Sequence, residues 1–191
     1  MTRLALLIGL LCGPAFAATN DAGALPGLLD EMSSYTERQA WAGVERTYEK
    51  MLALEEVEIP REVHLQAAHS ARALGRMDLV VRRLERAQEM ERTEEETRWL
   101  SEINESFAFV ELRTVPARSI ELVPELMPFQ PDARLSVEMA ITALAGDGEF
   151  IGMLPVGNYS LGGKGFEVIA GITAHVELST KELKAEKKRE K

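Results

Sequence analysis

The chain has 191 residues, enough for one medium domain or two small ones, and 46% of them are hydrophobic, which is sufficient for a buried core. Its formal net charge of −9 repels the phosphate backbone of nucleic acids, so we expect no nucleic-acid partner. The one cysteine, Cys12, lies near the N-terminus, so an intramolecular disulfide or a thiolate metal site is excluded.

Residues 1–17 have the pattern of a signal peptide. Arg3 supplies the positive charge, and residues 4–11 form an apolar segment too short to span a bilayer. Small residues at positions 15 and 17 suit a signal peptidase, so we expect cleavage after Ala17 and a periplasmic or secreted protein with no membrane span. Leu11 before Cys12 argues against lipidation, and the alternative is that the segment is retained as an anchor.

Residues 18–105 are rich in good helix formers and predict a helical domain. Pro26 and Pro60 suit first helical turns, and Gly75 breaks the pattern between two helices. Thr93 with Glu96 forms a capping box that starts the final helix. The predicted helices cover residues 26–37, 39–54, 60–74, 77–91 and 94–105.

The apolar residues of these helices repeat after 36 positions. Two quartets share the spacing of three, four and three residues: Trp41, Val44, Tyr48 and Met51, then Met77, Val80, Leu84 and Ala87. This spacing places each quartet on one face of its helix. A helix pair that recurs with a period in the mid-thirties is typical of stacked helical hairpins.

The segment from Arg61 to Thr93 resembles a tetratricopeptide repeat. The residues that carry the resemblance are the small Ala67, Ala68 and Ala71, the turn residue Gly75, and Ala87. The preceding copy departs from the family pattern, with Gln39 in place of the turn glycine and Met51 in place of alanine. The resemblance covers about residues 25–105 and implies antiparallel hairpins that bind a protein or peptide. An ordinary helical bundle is the alternative.

Residues 106–179 predict strands, because apolar and polar residues alternate with a period of two. The predicted strands cover residues 108–112, 120–122, 134–144, 150–154, 159–161, 166–170 and 172–178. Turns are predicted at residues 146–148, 155–158, 162–163 and at Gly171. The chain is therefore predicted to be an α+β protein in which helical hairpins precede an antiparallel β-sandwich of about seven strands.

The segment from Gly148 to Leu178 resembles the prealbumin-like modules of carboxypeptidase regulatory and PEGA domains. The residues that carry this resemblance are Phe150, Leu154, Pro155, Gly157, Tyr159, Leu161, Phe166, Val168, Gly171, Val176 and Leu178. The Pro-Glu-Gly-Ala string that names PEGA domains is absent. The resemblance implies a non-catalytic module that is often exported. Residues 180–191 are predicted to form a charged, flexible tail.

The sequence contains no recognisable catalytic or cofactor-binding pattern. His64 and His69 are five residues apart and diverge around a helix, unlike the ligands of a zinc helix. No serine lies in a Gly-x-Ser-x-Gly turn, and the glycines of residues 162–165 precede no predicted helix that would bind phosphate. We therefore expect no enzymatic activity, no cofactor and no metal.

The most basic surface is formed by five arginines. They are Arg72, Arg76, Arg82, Arg83 and Arg86, and they are the candidate partner-binding residues. Arginine can pair bidentately with a carboxylate of a peptide. The alternative is a solvated face of salt bridges with neighbouring glutamates such as Glu85 and Glu89.

These patterns predict an exported, non-catalytic interaction or scaffold protein of a bacterial cell envelope, which binds a protein or peptide through its helical repeats. The helix around Trp99 is expected to cap the stack and link it to the sandwich. The alternative is a carbohydrate- or peptidoglycan-binding module that uses the sandwich, where Tyr159 is either a sugar contact or a core residue. The sequence does not determine the oligomeric state.

Overall fold

The computed structural model describes residues 21–179, which form an α+β fold of six helices and two three-stranded sheets. The helices are α1 (Asp21–Glu37), α2 (Trp41–Leu52), α3 (Arg61–Ala73), α4 (Met77–Met90), α5 (Glu94–Ser106) and α6 (Pro131–Gly146). The strands are β1 (Phe107–Val115), β2 (Leu122–Pro124), β3 (Glu149–Pro155), β4 (Gly157–Leu161), β5 (Lys164–Val168) and β6 (Ala174–Ser179). The predicted signal peptide and the predicted tail lie outside the described residues.

The five helices predicted before residue 106 are confirmed. The hydroxyl of Thr93 accepts a hydrogen bond from the backbone N–H of Glu96, as expected for a helix N-cap. Gly75 has φ 74°, and Gln39, at the equivalent position 36 residues earlier, has φ 54°. The two turns therefore use the same left-handed backbone, although the first has no glycine. Across residues 21–179, none of the helices has the length and apolar character needed to cross a bilayer.

Each helix in the first half contacts the next along the chain, from α1 to α5. Val44, Tyr48 and Met51 are buried in one cluster together with residues of α1 and α3. Val80 and Leu84 are buried in the next cluster, with residues of α3 and α5. The two quartets thus occupy the inward faces of α2 and α4, as their spacing predicts.

The strand predicted at residues 134–144 is wrong, because this segment belongs to α6. Its buried residues Ala133, Val137, Ala140 and Leu144 recur at intervals of four, three and four, which is the period of a helix. Nearly every second residue is also apolar, so the same sequence fits a strand. Pro131 in the first turn is the helix-start signal that the alternation obscured. Asp147 and Gly148 accordingly connect α6 to β3, and the turn predicted at residues 146–148 forms no hairpin.

The two sheets differ from a purely antiparallel sandwich. The first has the strand order β3-β1-β6, and β1 pairs with β3 antiparallel but with β6 parallel. The second has the order β2-β4-β5 and is antiparallel throughout. Helix α6 packs against β2 and β3. It therefore provides part of the core in place of the strand predicted at residues 134–144. The hairpin predicted at residues 162–163 connects β4 to β5.

The apolar cluster that contains Val80 and Leu84 also joins the helical half to the sheets. It contains Ile103 of α5, Phe107 of β1, Ala133 of α6 and Met153 of β3, together with residues of α3 and α4. Helix α5 continues directly into β1, so this connection has no intervening loop. The cluster positions the end of α3 beside the start of α6, where the candidate site lies.

Candidate binding cleft

A cleft of about 750 Å³ lies where the helical half meets α6. Its walls come from the last turn of α3, from α5, from the start of β1 and from the first turn of α6. The apolar lining residues are Ala73, Met77, Trp99, Ile103, Phe107 and Leu135. A concave, mostly apolar surface with a few polar groups at its edge is the usual form of a ligand or peptide site.

Trp99 of α5 lies against two side chains of α3 that line the cleft, His69 and Arg72. The centroids of the Trp99 and His69 rings are 4.8 Å apart, with 31° between the ring planes. The guanidinium carbon of Arg72 lies 5.6 Å from the centroid of the Trp99 ring. Arg72 also donates from Nε to Oδ2 of Asp132 at 2.9 Å. This ion pair connects α3 to α6 across the cleft and holds the Arg72 guanidinium beside the indole.

His69 is neutral at neutral pH. Partial desolvation of its ring lowers its pKa below the ordinary value of 6.5, and the nearby charge of Arg72 lowers it further. The positive charge at the mouth of the cleft therefore comes from Arg72. His69 contributes a flat ring against Trp99 and a neutral hydrogen-bonding group.

The structure does not bring the five predicted arginines together. Arg72 lies at the cleft described above, whereas Arg86 lines a separate cleft of about 590 Å³ at the other end of the helices. Arg86 pairs with Glu89 at 2.7 Å, and Arg82 lies 3.7 Å from Asp78, so these two fit the solvated-face alternative. Arg76 is the residue that precedes α4.

Arg83 is buried and cannot contact a partner. Its two terminal nitrogens each lie 2.6 Å from a carboxylate oxygen of Glu45, and one of them also donates to the carbonyl of Ala67 at 2.6 Å. The guanidinium lies 4.6 Å from the ring centroid of Tyr48. Arg83 and Glu45 are 6% and 7% exposed, so this ion pair is part of the helical core.

His64 is buried beside this ion pair. Its Nδ1 lies 2.8 Å from the hydroxyl of Tyr48. Burial lowers the pKa of His64, and the positive charges of Arg86 and Arg83 lower it further. His64 is therefore neutral in the folded protein at neutral pH, and its Nδ1 can accept a hydrogen bond from the hydroxyl of Tyr48.

The lowered pKa values of His64 and His69 predict a loss of stability in mild acid. As the pH falls below about 6.5, the unfolded chain binds protons at His64 and His69 before the folded chain does. The midpoint of thermal unfolding should therefore be highest above this pH and should fall between pH 7.5 and 5.5. A variant with His64→Gln and His69→Gln is the control and should show a flatter pH profile in the same calorimetric scan. An identical profile for both proteins would contradict the assignment.

A loop that sequence reasoning did not single out lies next to the cleft. Leu126 is 84% exposed and Phe129 is 102% exposed, and both belong to the connection between β2 and α6. The signal was present in the sequence, because three large apolar residues stand among Pro124, Pro128 and Pro131 without the alternation of a strand. Prolines at this density oppose both helix and sheet and keep such residues in an exposed loop.

No protein-family model, no curated protein and no solved structure matches this chain significantly. Within residues 21–179, no group of three or more histidine, cysteine, aspartate or glutamate side chains is arranged to hold a metal ion. Tyr159 is 5% exposed, and its hydroxyl donates to the carbonyl of Pro155 at 2.8 Å. Burial raises the pKa of Tyr159 to about 12. The cleft and the adjacent loop are therefore the candidate functional features of the described residues.

Proposed function

We propose that this chain is an exported, non-catalytic interaction protein of a bacterial cell envelope, and that it binds a segment of a protein or peptide in the cleft between α3, α5 and α6. The observation that carries the proposal is the cleft itself, with Trp99 in contact with both His69 and Arg72 in its lining. Aromatic and arginine side chains around an apolar recess are the groups that contribute most to protein–protein affinity.

The cleft suits a segment that carries a large apolar side chain near a carboxylate. The apolar side chain would enter between Met77, Ile103 and Leu135, where it would be removed from water. The carboxylate would pair with Arg72, whose side chain is 49% exposed and thus accessible beside Asp132. Trp99 would cover the segment from the side.

The helical half is proposed to be built from hairpins of the tetratricopeptide type. Three observations support this finer assignment: the 36-residue repeat of the quartets, the shared left-handed backbone at Gln39 and Gly75, and the contact of each helix with the next. The proposed partner segment would lie at the end of this stack and not along its arginine-rich face, because Arg83 is buried and Arg82 and Arg86 have carboxylate neighbours. The carbohydrate-binding alternative is weakened by the burial of Tyr159.

The proposal is tested by selecting peptides on the purified protein. A display library of random twelve-residue peptides should yield peptides with one large apolar residue close to an acidic one. Trp99→Ala should weaken their binding at least about tenfold, as for a hot-spot residue, when Kd is measured by fluorescence anisotropy.

The matched control is Trp41→Ala, since Trp41 is also a partly buried tryptophan but packs against the first apolar cluster. It should lower the unfolding midpoint and leave Kd unchanged. Peptides that bind the Trp99→Ala protein equally well, or a library that gives no enrichment, would refute the proposal. Export is tested separately by measuring the intact mass of the protein recovered outside the cytoplasm. This mass should correspond to a chain that begins at Ala18.

A further inference from the structure

The exposed loop and the cleft lie side by side on one surface. Phe129 and Leu126 contribute little to the core of their own chain, and Leu135 belongs to the cleft while remaining 36% exposed. Gln130, the residue after Phe129, already lines the cleft. Monomeric proteins rarely expose large contiguous apolar patches, so a protruding apolar loop next to an apolar recess marks an interaction surface.

Phe129 is not placed to fill the cleft of its own chain. Gln130, Pro131 and Asp132 form one wall of that cleft, and α6 begins at Pro131. A proline restricts the residue before it to an extended backbone, and Gln130 has φ −66° and ψ 129°. Phe129 is 102% exposed, so its side chain does not fill the cleft of its own chain.

We propose that the Phe129 loop of a second copy of this chain occupies the cleft, so that two copies form a symmetric dimer with each loop in the cleft of the other. This inference rests on the proposed function, because it names a partner for the same cleft. A twofold dimer buries the same patch on both copies and so requires a protrusion and a recess next to each other. Phe129 and Leu126 provide the protrusion, and the cleft with Trp99 and Leu135 provides the recess.

One pair of charges across the patch is complementary, although Asp132 and Glu102 also line the cleft. Glu125 is the first residue of the loop and is exposed, with Oε2 accepting a hydrogen bond from Nδ2 of Asn158 at 2.8 Å, whereas Arg72 is exposed at the cleft. A loop that enters the opposite cleft brings Glu125 of one copy towards Arg72 of the other, and the symmetry repeats this pair. The net charge of −9 opposes the dimer only weakly, since charges more than about 8 Å apart are screened at physiological ionic strength.

A membrane surface fits the same loop less well. The loop is flanked by the exposed carboxylates of Glu121 and Glu125 and is followed by Asp132 at the start of α6. Anionic lipid headgroups attract basic segments and repel acidic ones. The acidic residues around the loop therefore disfavour an anionic membrane, whereas Arg72 offers the loop one positive charge in the cleft.

The dimer is tested first by sedimentation velocity on the purified protein. Phe129→Ser should raise the Kd of the dimer at least about tenfold, as expected for an aromatic side chain buried in an interface pocket. The matched control is Ile172→Ser, since Ile172 is 57% exposed, lies outside the cleft and should leave the dimer unchanged. Phe129 makes so little contact in a single copy that its replacement should not alter the unfolding midpoint at concentrations below the dimer Kd, which separates lost association from lost folding.

Disulfide trapping tests which surfaces meet. In a Cys12→Ser background the chain has no other thiol, so each introduced cysteine is the sole one. A mixture of Phe129→Cys and Ala73→Cys proteins should form the mixed disulfide on mild oxidation, because Ala73 lines the cleft. A mixture of Ile172→Cys and Ala73→Cys proteins is the control and should not.

Three results would overturn the dimer, each in a different way. A protein that stays monomeric at about 100 µM, where complexes of micromolar affinity are populated, has no such interface. A dimer that is insensitive to Phe129→Ser uses another surface. A monomer that binds vesicles containing phosphatidylglycerol, and loses this binding with Phe129→Ser, uses the loop at a membrane. If peptide binding through Trp99 persists in any of these cases, the proposed function stands and only the identity of the partner is wrong.

Discussion

Replacing Glu45 with alanine is expected to lower the free energy of unfolding by about 3–5 kcal/mol, because it leaves the buried guanidinium of Arg83 without a counter-charge. The two side chains are 9% and 7% exposed, so water cannot take the place of the lost carboxylate. Two further contacts of Arg83, with the carbonyl of Ala67 and with the ring of Tyr48, remain but do not neutralise its charge. Urea denaturation followed by circular dichroism measures the loss.

The matched control is Glu31→Ala, since Glu31 pairs with Lys50 at the surface. Their side chains are 33% and 56% exposed, and such a pair contributes about 0–1 kcal/mol. A second comparison separates the ion pair from the space that it fills. Glu45→Leu combined with Arg83→Met removes both charges together and should recover most of the stability that Glu45→Ala loses. Equal losses for Glu45→Ala and Glu31→Ala would show that water reaches the pair.

The burial of Glu45 and Arg83 was signalled by the sequence but obscured by their charge. Arg83 stands three residues after Val80 and next to Leu84, so it falls inside the apolar stripe of α4. Glu45 stands next to Val44 in the corresponding stripe of α2. A charged residue inside such a stripe is buried only when a partner compensates it. That partner lies 38 residues away, and the spacing within one helix does not reveal it.

Local patterns predicted the helical half better than the sheets. Helix starts and the turn at Gly75 depend on neighbouring residues, so the bounds of α2 to α5 follow closely from capping and spacing. The parallel pairing of β1 with β6 joins residues 64 positions apart, as in the contact of Arg113 with Glu177. Alternation indicates that a segment is a strand but not which strand lies beside it.

The cleft could not be predicted, because it exists only where two distant segments meet. Arg72 at the end of α3 and Asp132 at the start of α6 are 60 residues apart in the chain. The segment that includes Asp132 was predicted to lead into a strand, and a strand there would have given no such wall. The principal error in the predicted fold was a strand in place of α6, and this same error is why the cleft was not predicted.

The contact between the α3–α4 turn and α6 depends on the absence of a side chain at Gly75. A Cβ at this position would lie 2.8 Å from the Cβ and the carbonyl carbon of Leu135 and from the backbone nitrogen of Ser136. The hydroxyl of Ser136 donates to the carbonyl of Gly75 at 2.7 Å and holds the two segments together. Gly75 also has φ 74°, a conformation that other residues adopt at a cost.

We expect Gly75→Ala to lower the free energy of unfolding by about 2–5 kcal/mol. This is the sum of the cost of a left-handed backbone at alanine and the cost of overpacking against α6. Two other glycines separate these contributions. Gly171 has φ 73° but open space around it, so Gly171→Ala should cost about 1–2 kcal/mol. Gly27 lies within α1 with open space around it, and Gly27→Ala should be neutral or stabilise by up to about 1 kcal/mol.

Peptide binding provides a second measurement for the same variants. Moving α6 away from the α3–α4 turn displaces Leu135 and Asp132 from the cleft, so Gly75→Ala should raise Kd for a selected peptide in the fraction that remains folded. Gly171→Ala leaves that wall in place and should bind normally. If Gly75→Ala cost no more than Gly171→Ala and bound peptide equally well, the turn would not be what positions α6. The cleft would then depend on the Arg72–Asp132 ion pair, which spans the same two segments.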